Sequence, residues 1–269
     1  MSELHFVDII LLLSSGALVG LLAGLLGIGG GLIVVPILLY LLPQFGIHAE
    51  LVTHMAIATS MATIVVTSIA SVRAHNRHGT ILWHVFWAMV PGIIIGGLLG
   101  SYATKYIPSE NLKMIFGIFA LLIATQMIFK FRPSFNLKEP GKFRLAISGA
   151  IISTISALVG IGGGSLTVPY LSFWNTKMAK AVGTSSAIGL PLSISGTVGF
   201  IIAGLQIPDR PAYSLGYVYL PAFLGIVLVS SFTAQLGARL VLKLSSKILT
   251  RIFASFLIII GLDIIISNL

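Results

Sequence analysis

The sequence Gly27-Ile28-Gly29-Gly30-Gly31 is followed by Pro36, and Gly160-Ile161-Gly162-Gly163-Gly164 is followed by Pro169 at the same spacing, so the chain carries one motif twice. Both copies interrupt apolar runs, residues 21–40 and 147–174, whose other residues favour helix. Unpaired backbone groups inside hydrocarbon cost several kcal/mol each, so a break at that depth survives only when buried in protein or lining a polar cavity. Glycine at such a break lets successive backbone N–H groups converge without side-chain obstruction, and the resuming helix aims its positive dipole end at the same spot. The chemistry this suits is anion binding, with Gly27, Gly29, Gly30 and Gly31 on one side and Gly160, Gly162, Gly163 and Gly164 on the other.

Hydroxyls can complete such a cage. Ser165 is placed to cap the second resuming helix, and Thr59, Ser60, Thr184, Ser185 and Ser186 lie on the next span of each half. Singly, these residues would read as close-packing glycines and hydroxyls bonded back to their own helices. Their recurrence in the same order favours a site. No Lys or Arg falls centrally in any span, so dipoles and hydroxyls rather than a fixed cation would hold the anion, and the binding should be shallow.

Other chemistries find little support. The glycine clusters lack the Lys-Ser/Thr ending of a phosphate-binding loop and follow no strand. There is no metal-spaced His/Asp/Glu cluster, no nucleophile triad and no cysteine, so no cofactor or metal is expected, and an intramembrane enzyme is the weakest reading. Asp263 is the one carboxylate in the last span, six residues from the C-terminus, and reads as lying near the outer interface. His54 and His75 read as interfacial.

The elements that must position these residues follow from composition. At 57% hydrophobic and 9% charged, with a mean hydropathy of +1.06, the chain has too few polar residues to cover a soluble globule, and it reads as an all-α polytopic membrane protein. The first eight residues hold Glu3 and Asp8 and no base, unlike a signal peptide, so the first apolar stretch is expected to be retained. The net charge of +9 reflects bases in short loops between spans, so nucleic acid is not an expected partner. Expected partners are a small anion and the lipid bilayer; the sequence carries no reading of oligomeric state.

In the first half the broken segment is followed by spans near 51–71, 83–102 and 112–129. Residues 130–144, with Lys130, Arg132, Lys138, Lys142 and Arg144, read as a linker. This divides the chain into a first repeat at 1–129, a cytoplasmic linker at 130–144 and a second repeat at 145–269. The order returns with offsets of 133 at Gly27/Gly160, 125 at Thr59/Thr184, 130 at Pro91/Pro221 and 137 at Phe116/Phe253.

The distribution of bases tests how the halves are oriented. If each broken segment crossed the membrane once, the 16 bases would divide eight and eight, against the positive-inside rule. If each glycine cluster is the tip of a re-entrant hairpin, the halves are inverted and 13 of the 16 bases face the cytoplasm, all but Lys105, Lys113 and Arg210. As helices, residues 145–159 and 165–174 would extend roughly 22 and 15 Å, short of a hydrocarbon core of about 30 Å, whereas residues 9–26 would run about 27 Å and nearly cross. The expectation is two inverted repeats, each a glycine-broken re-entrant helical hairpin followed by three transmembrane helices.

Residues 22–36 (LAGLLGIGGGLIVVP) and 157–169 (ALVGIGGGSLTVP), with Ala181-Val182-Gly183-Thr184-Ser185-Ser186, resemble the TauE/SafE family of sulfite-exporter-like membrane permeases. The resemblance runs from about Ala17 to Ile266. It implies transport of small sulfur-containing anions such as sulfite, sulfonates or related organic acids across the bacterial inner membrane. Two inverted glycine tips would bring the binding site near the midplane, as expected of an alternating-access carrier. The departures are mild: Ala58 stands where the second half has Gly183, and His54 has no histidine counterpart. Transport of small carboxylates, or an anion channel built on the same site, are the alternatives.

Overall fold

The computed structural model describes residues 6–26, 30–129, 138–174, 176–207, 210–241 and 246–268. These residues form ten α-helices: α1 (Phe6–Leu26), α2 (Gly31–Leu41), α3 (Ala49–Arg77), α4 (Trp83–Ala103), α5 (Ser109–Phe129), α6 (Lys142–Val159), α7 (Gly164–Ser172), α8 (Met178–Gly204), α9 (Leu220–Val241) and α10 (Ser246–Ile266). The one sheet among the described residues is a hairpin of β1 (Ser214–Leu215) and β2 (Val218–Tyr219) just before α9, which the apolar pattern does not announce. Six helical segments are long and apolar enough to cross a membrane, so this is a polytopic helical membrane protein.

Helices α3 and α8 form the centre, each with more than half of its most apolar stretch buried. They run antiparallel, because Gly183, Gly189 and Gly196 of α8 lie successively beside Thr80, Ser68 and Met61. Helices α5 and α10 are also antiparallel, with Asn268 donating to the Glu110 carbonyl and Gly261 against Gly117. Of the other large contacts, α4 with α6 and α1 with α9 are parallel and reciprocal, and α4 also packs parallel on α8, Gly97 lying against Ser195 and Gly199 against Ser101.

Small residues make those parallel contacts. Gly92, Gly96 and Gly100 recur every four residues along α4, and an added Cβ would lie 1.8 Å from the Ala146 carbonyl oxygen, 2.2 Å from that of Ala150 and 2.9 Å from Thr154 Cα. Ser153 Oγ donates to the Ile93 carbonyl at 2.7 Å across the same seam. Gly16 and Gly20 do the same work on α1, closing on Gly225 and Ser230.

Each glycine cluster separates a longer helix from a shorter one, α1 from α2 and α6 from α7. The two helices of each pair are unequal in length. Helices α1 and α6, of 21 and 18 residues, extend about 31 and 27 Å, while α2 and α7, of 11 and 9, extend about 16 and 14 Å. The α6 arm exceeds the expected 22 Å because its helix starts at Lys142, inside the stretch that reads as linker, and it counts among the six long apolar segments.

The starts of α4 and α9, and of α5 and α10, are each 137 residues apart. Pro91 is the ninth residue of α4 and Pro221 the second of α9, so these prolines are not at equivalent positions.

Candidate functional site

The two glycine clusters meet. A Cβ on Gly31, the first residue of α2, would sit 2.8 Å from the Gly160 carbonyl oxygen and 3.1 Å from Ile161 Cα, so backbone touches backbone there. Ser60 Oγ on α3 donates to the same Gly160 oxygen at 2.8 Å, and Ile64 of α3 closes against Gly31 and Gly162.

The backbone of the second tip follows from its composition. Gly160 ends α6 in the left-handed conformation, φ 73°, and the Ile161 amide reaches back to the Ser156 carbonyl at 3.1 Å, a closure that only glycine adopts without strain. In the first tip the left-handed residue among those described is Gly30, φ 76°, which precedes α2. Its counterpart Gly163 is right-handed, φ −57°. The two copies therefore differ in conformation at that position.

Gly27 and Gly29 lie outside the described residues. Gly30, Gly31, Gly160 and Gly163 are buried, and Gly162 and Gly164 half-buried. The first amides of α2 and α7 have no intrahelical partner by helix geometry, the earliest bonds being Ile33 and Val34 to Gly30, and Thr167 to Gly163. Ser165 does not cap α7: the capping position belongs to Gly163, and no side chain bonds there, because Ser165 is already within the first turn.

The hydroxyls divide into two groups. Thr59 Oγ1 accepts the Tyr219 amide at 3.0 Å, and Thr184 Oγ1 accepts the Leu82 amide at 2.9 Å. Each threonine thus holds the entry to a helix of the other half, and Thr184 lies about 8 Å along α8 from Gly189, which abuts Gly163. By contrast Ser185, 1% exposed, has no hydrogen-bond partner among the described residues, and Ser186 is half-buried.

Two residues that sequence reasoning missed join this second group. Ser156, one turn before Gly160, and Thr167, one turn after Gly163, are fully buried, and neither hydroxyl has a partner among the described residues. Helical hydroxyls ordinarily bond back three or four residues, and leaving one unpaired costs about 1–3 kcal/mol. Ala23 and Val34 stand 133 residues earlier, so the duplication that flagged the glycines could not flag these hydroxyls.

Away from the tips, His54 is buried, its Nε2–H donating to the Thr104 carbonyl at 2.9 Å. Since a carbonyl only accepts, Nε2 carries the proton. The Tyr217 ring stacks on His54 at 4.9 Å, and burial pushes the Tyr217 phenol above its ordinary range, so it stays neutral. Asp263 is exposed near the end of α10 and accepts from the Tyr40 hydroxyl at the end of α2. His75 Nδ1 meets Thr80 Oγ1 at 3.0 Å in the turn before α4. No group of three metal-ligating side chains occurs among the described residues.

Residues 12–264 match the Sulfite exporter TauE/SafE family, spanning both glycine tips and the helices that hold them. The chain belongs to the TauE/SafE family. TauE/SafE membership makes it a membrane transporter, in agreement with its six long apolar segments. Among similar proteins, a "Probable membrane transporter protein" of Haemophilus influenzae is 39% identical over 96% of this chain and 98% of its own length. The "Probable membrane transporter protein MJ0441" of Methanocaldococcus jannaschii is 30% identical over 94% and 93%. YunE of Bacillus subtilis, also named a probable membrane transporter protein, is 26% identical over 96% and 98%. No solved structure matches the chain.

Proposed function

We propose that this TauE/SafE protein is a secondary transporter of small sulfur-containing anions, sulfite or organosulfonates, that works by alternating access in the bacterial inner membrane. The observation that carries the anion site is the set of buried, unpaired hydroxyls at Ser156, Thr167 and Ser185, two of which flank a helix break whose first backbone amides have no intrahelical partner. Amides at the starts of α2 and α7 would supply the remaining donors. No Lys or Arg stands among the described residues of either tip, so the anion would be held by dipoles and hydroxyls.

The reading includes two inverted repeats. Antiparallel α3/α8 and α5/α10 pairs, reciprocal α1/α9 and α4/α6 seams, and the exchanged Thr59–Tyr219 and Thr184–Leu82 bonds all support it. Each hairpin then begins and ends on one side of the membrane, with 13 of the 16 bases on the cytoplasmic side. Inverted repeats in an alternating-access carrier occupy different conformations in any one state, and the contrast between Gly30 and Gly163 is of that kind. The sulfur chemistry is inferred from the family's name and resemblance.

Calorimetric binding of sulfite, a sulfonate, acetate and a neutral isostere to purified protein tests the site and the substrate separately. Sulfite or the sulfonate should bind best, and Ser156→Ala or Thr167→Val should weaken it about two- to twelvefold each, from 0.5–1.5 kcal/mol per hydrogen bond, without destabilising the unliganded protein. Preference for the neutral compound would overturn the anion site. Preference for acetate would overturn only the sulfur assignment, and absence of counterflow in vesicles would replace the carrier with a channel.

A further inference from the structure

A recess of about 760 Å³ opens where the chain enters α6, lined by Lys138, Glu139, Lys142, Arg144, Ser148 and Tyr170. Its size falls in the range of small-molecule sites. Three cations face one carboxylate, and that carboxylate is engaged by His84 at 3.1 Å, which leaves the cations in excess. Within the recess the Tyr170 hydroxyl donates to Ser148 Oγ at 2.6 Å, joining α7 to α6. Phe143 belongs to the same lining and is 79% exposed, an aromatic ring beside the charges at the start of a segment apolar enough to span the membrane.

We propose that this recess binds the phosphodiester headgroup of an anionic lipid from the adjoining leaflet. Phosphate oxygens would meet the side chains of Lys138, Lys142 and Arg144, with the Ser148 and Tyr170 hydroxyls below them, while Phe143 lies against the upper part of the acyl chains. Basic pockets between helices at the cytoplasmic end of a span suit such headgroups, and aromatic rings favour the interface. Tyr170 belongs to the short arm of the second hairpin and the cations to the long arm and its lead-in, so one headgroup contacts both arms. Lipid composition thereby acts on the hairpin that carries the second glycine tip. The leaflet rests on the orientation proposed above; the binding itself does not.

Native mass spectrometry of the detergent-purified protein with phosphatidylglycerol, phosphatidylcholine or inorganic phosphate tests this without reference to sidedness or transport. Phosphatidylglycerol should be retained in preference to phosphatidylcholine. Lys138→Gln, Lys142→Gln and Arg144→Gln should each weaken its retention about fivefold. Glu139→Gln should strengthen it by a similar factor, a gain that misfolding cannot mimic. Lys177→Gln with Lys180→Gln, the same kind of charge loss at residues that do not line the recess, should leave retention unchanged. Equal retention of both lipids, or an equal loss in the Lys177/Lys180 variant, would overturn the site. Displacement of phosphatidylglycerol by equimolar inorganic phosphate would overturn the lipid assignment. Failure here leaves the proposed orientation intact, since cysteine labelling reports that separately.

Discussion

Gly31 and Ser60 show how residue-scale contacts decide whether a glycine motif is a site or a packing surface. Gly31 has no room for a methyl group because the Gly160 carbonyl is already there, whereas a Cβ on Gly162 would make an ordinary 3.5 Å contact with Ile64. Gly31→Ala should therefore abolish vesicle transport while Gly162→Ala keeps it. Equal transport by both would show that contact between the tips is dispensable. Ser60→Ala should cost about 1–3 kcal/mol in thermal unfolding, because the buried Gly160 carbonyl loses its side-chain donor. Ser186→Ala, at a half-buried position, should stay within about 0.5 kcal/mol.

At the scale of elements, the α4/α6 and α1/α9 seams hold the longer helix at each glycine break against a helix distant in the chain. These seams are made of backbone laid on backbone, so they tolerate no added volume, and there is little hydrophobic driving force between helices in lipid to compensate for a gap. Gly96→Val places atoms where the Ala150 carbonyl stands and should remove most of the monodisperse protein in fluorescence size-exclusion. Gly141→Ala, with nothing within 4 Å, should leave the elution profile unchanged. Identical profiles would mean that the seam is not what holds α6.

For the whole molecule, helix directions and charge make one statement about orientation. The starts of α4, α6 and α8 share a face that carries Lys142, Arg144, Lys177 and Lys180, while Lys105 meets Gln206 and Lys113 meets Ser267 at the opposite face. In intact cells a cysteine replacing exposed Ala212 should react with an impermeant maleimide, and one replacing exposed Lys177 should not. The absence of native cysteine makes the readout clean. Reaction at 177 and protection at 212 would reverse the orientation.

Composition alone required a helical membrane protein, because so few polar residues can cover only a surface facing lipid. The duplicated glycine clusters were legible as helix breaks, since no other residue type interrupts an apolar helix at so little steric cost. The family resemblance was carried by the same residues. Tertiary structure decided what local pattern does not encode. The tips touch because α3 and α8 cross antiparallel, and Thr59 and Thr184 hold backbone amides because the turns before α9 and α4 arrive beside them. Ser156 and Thr167 lack partners because neighbouring helices bury them without offering an acceptor, a property of packing that neither spacing nor repetition records.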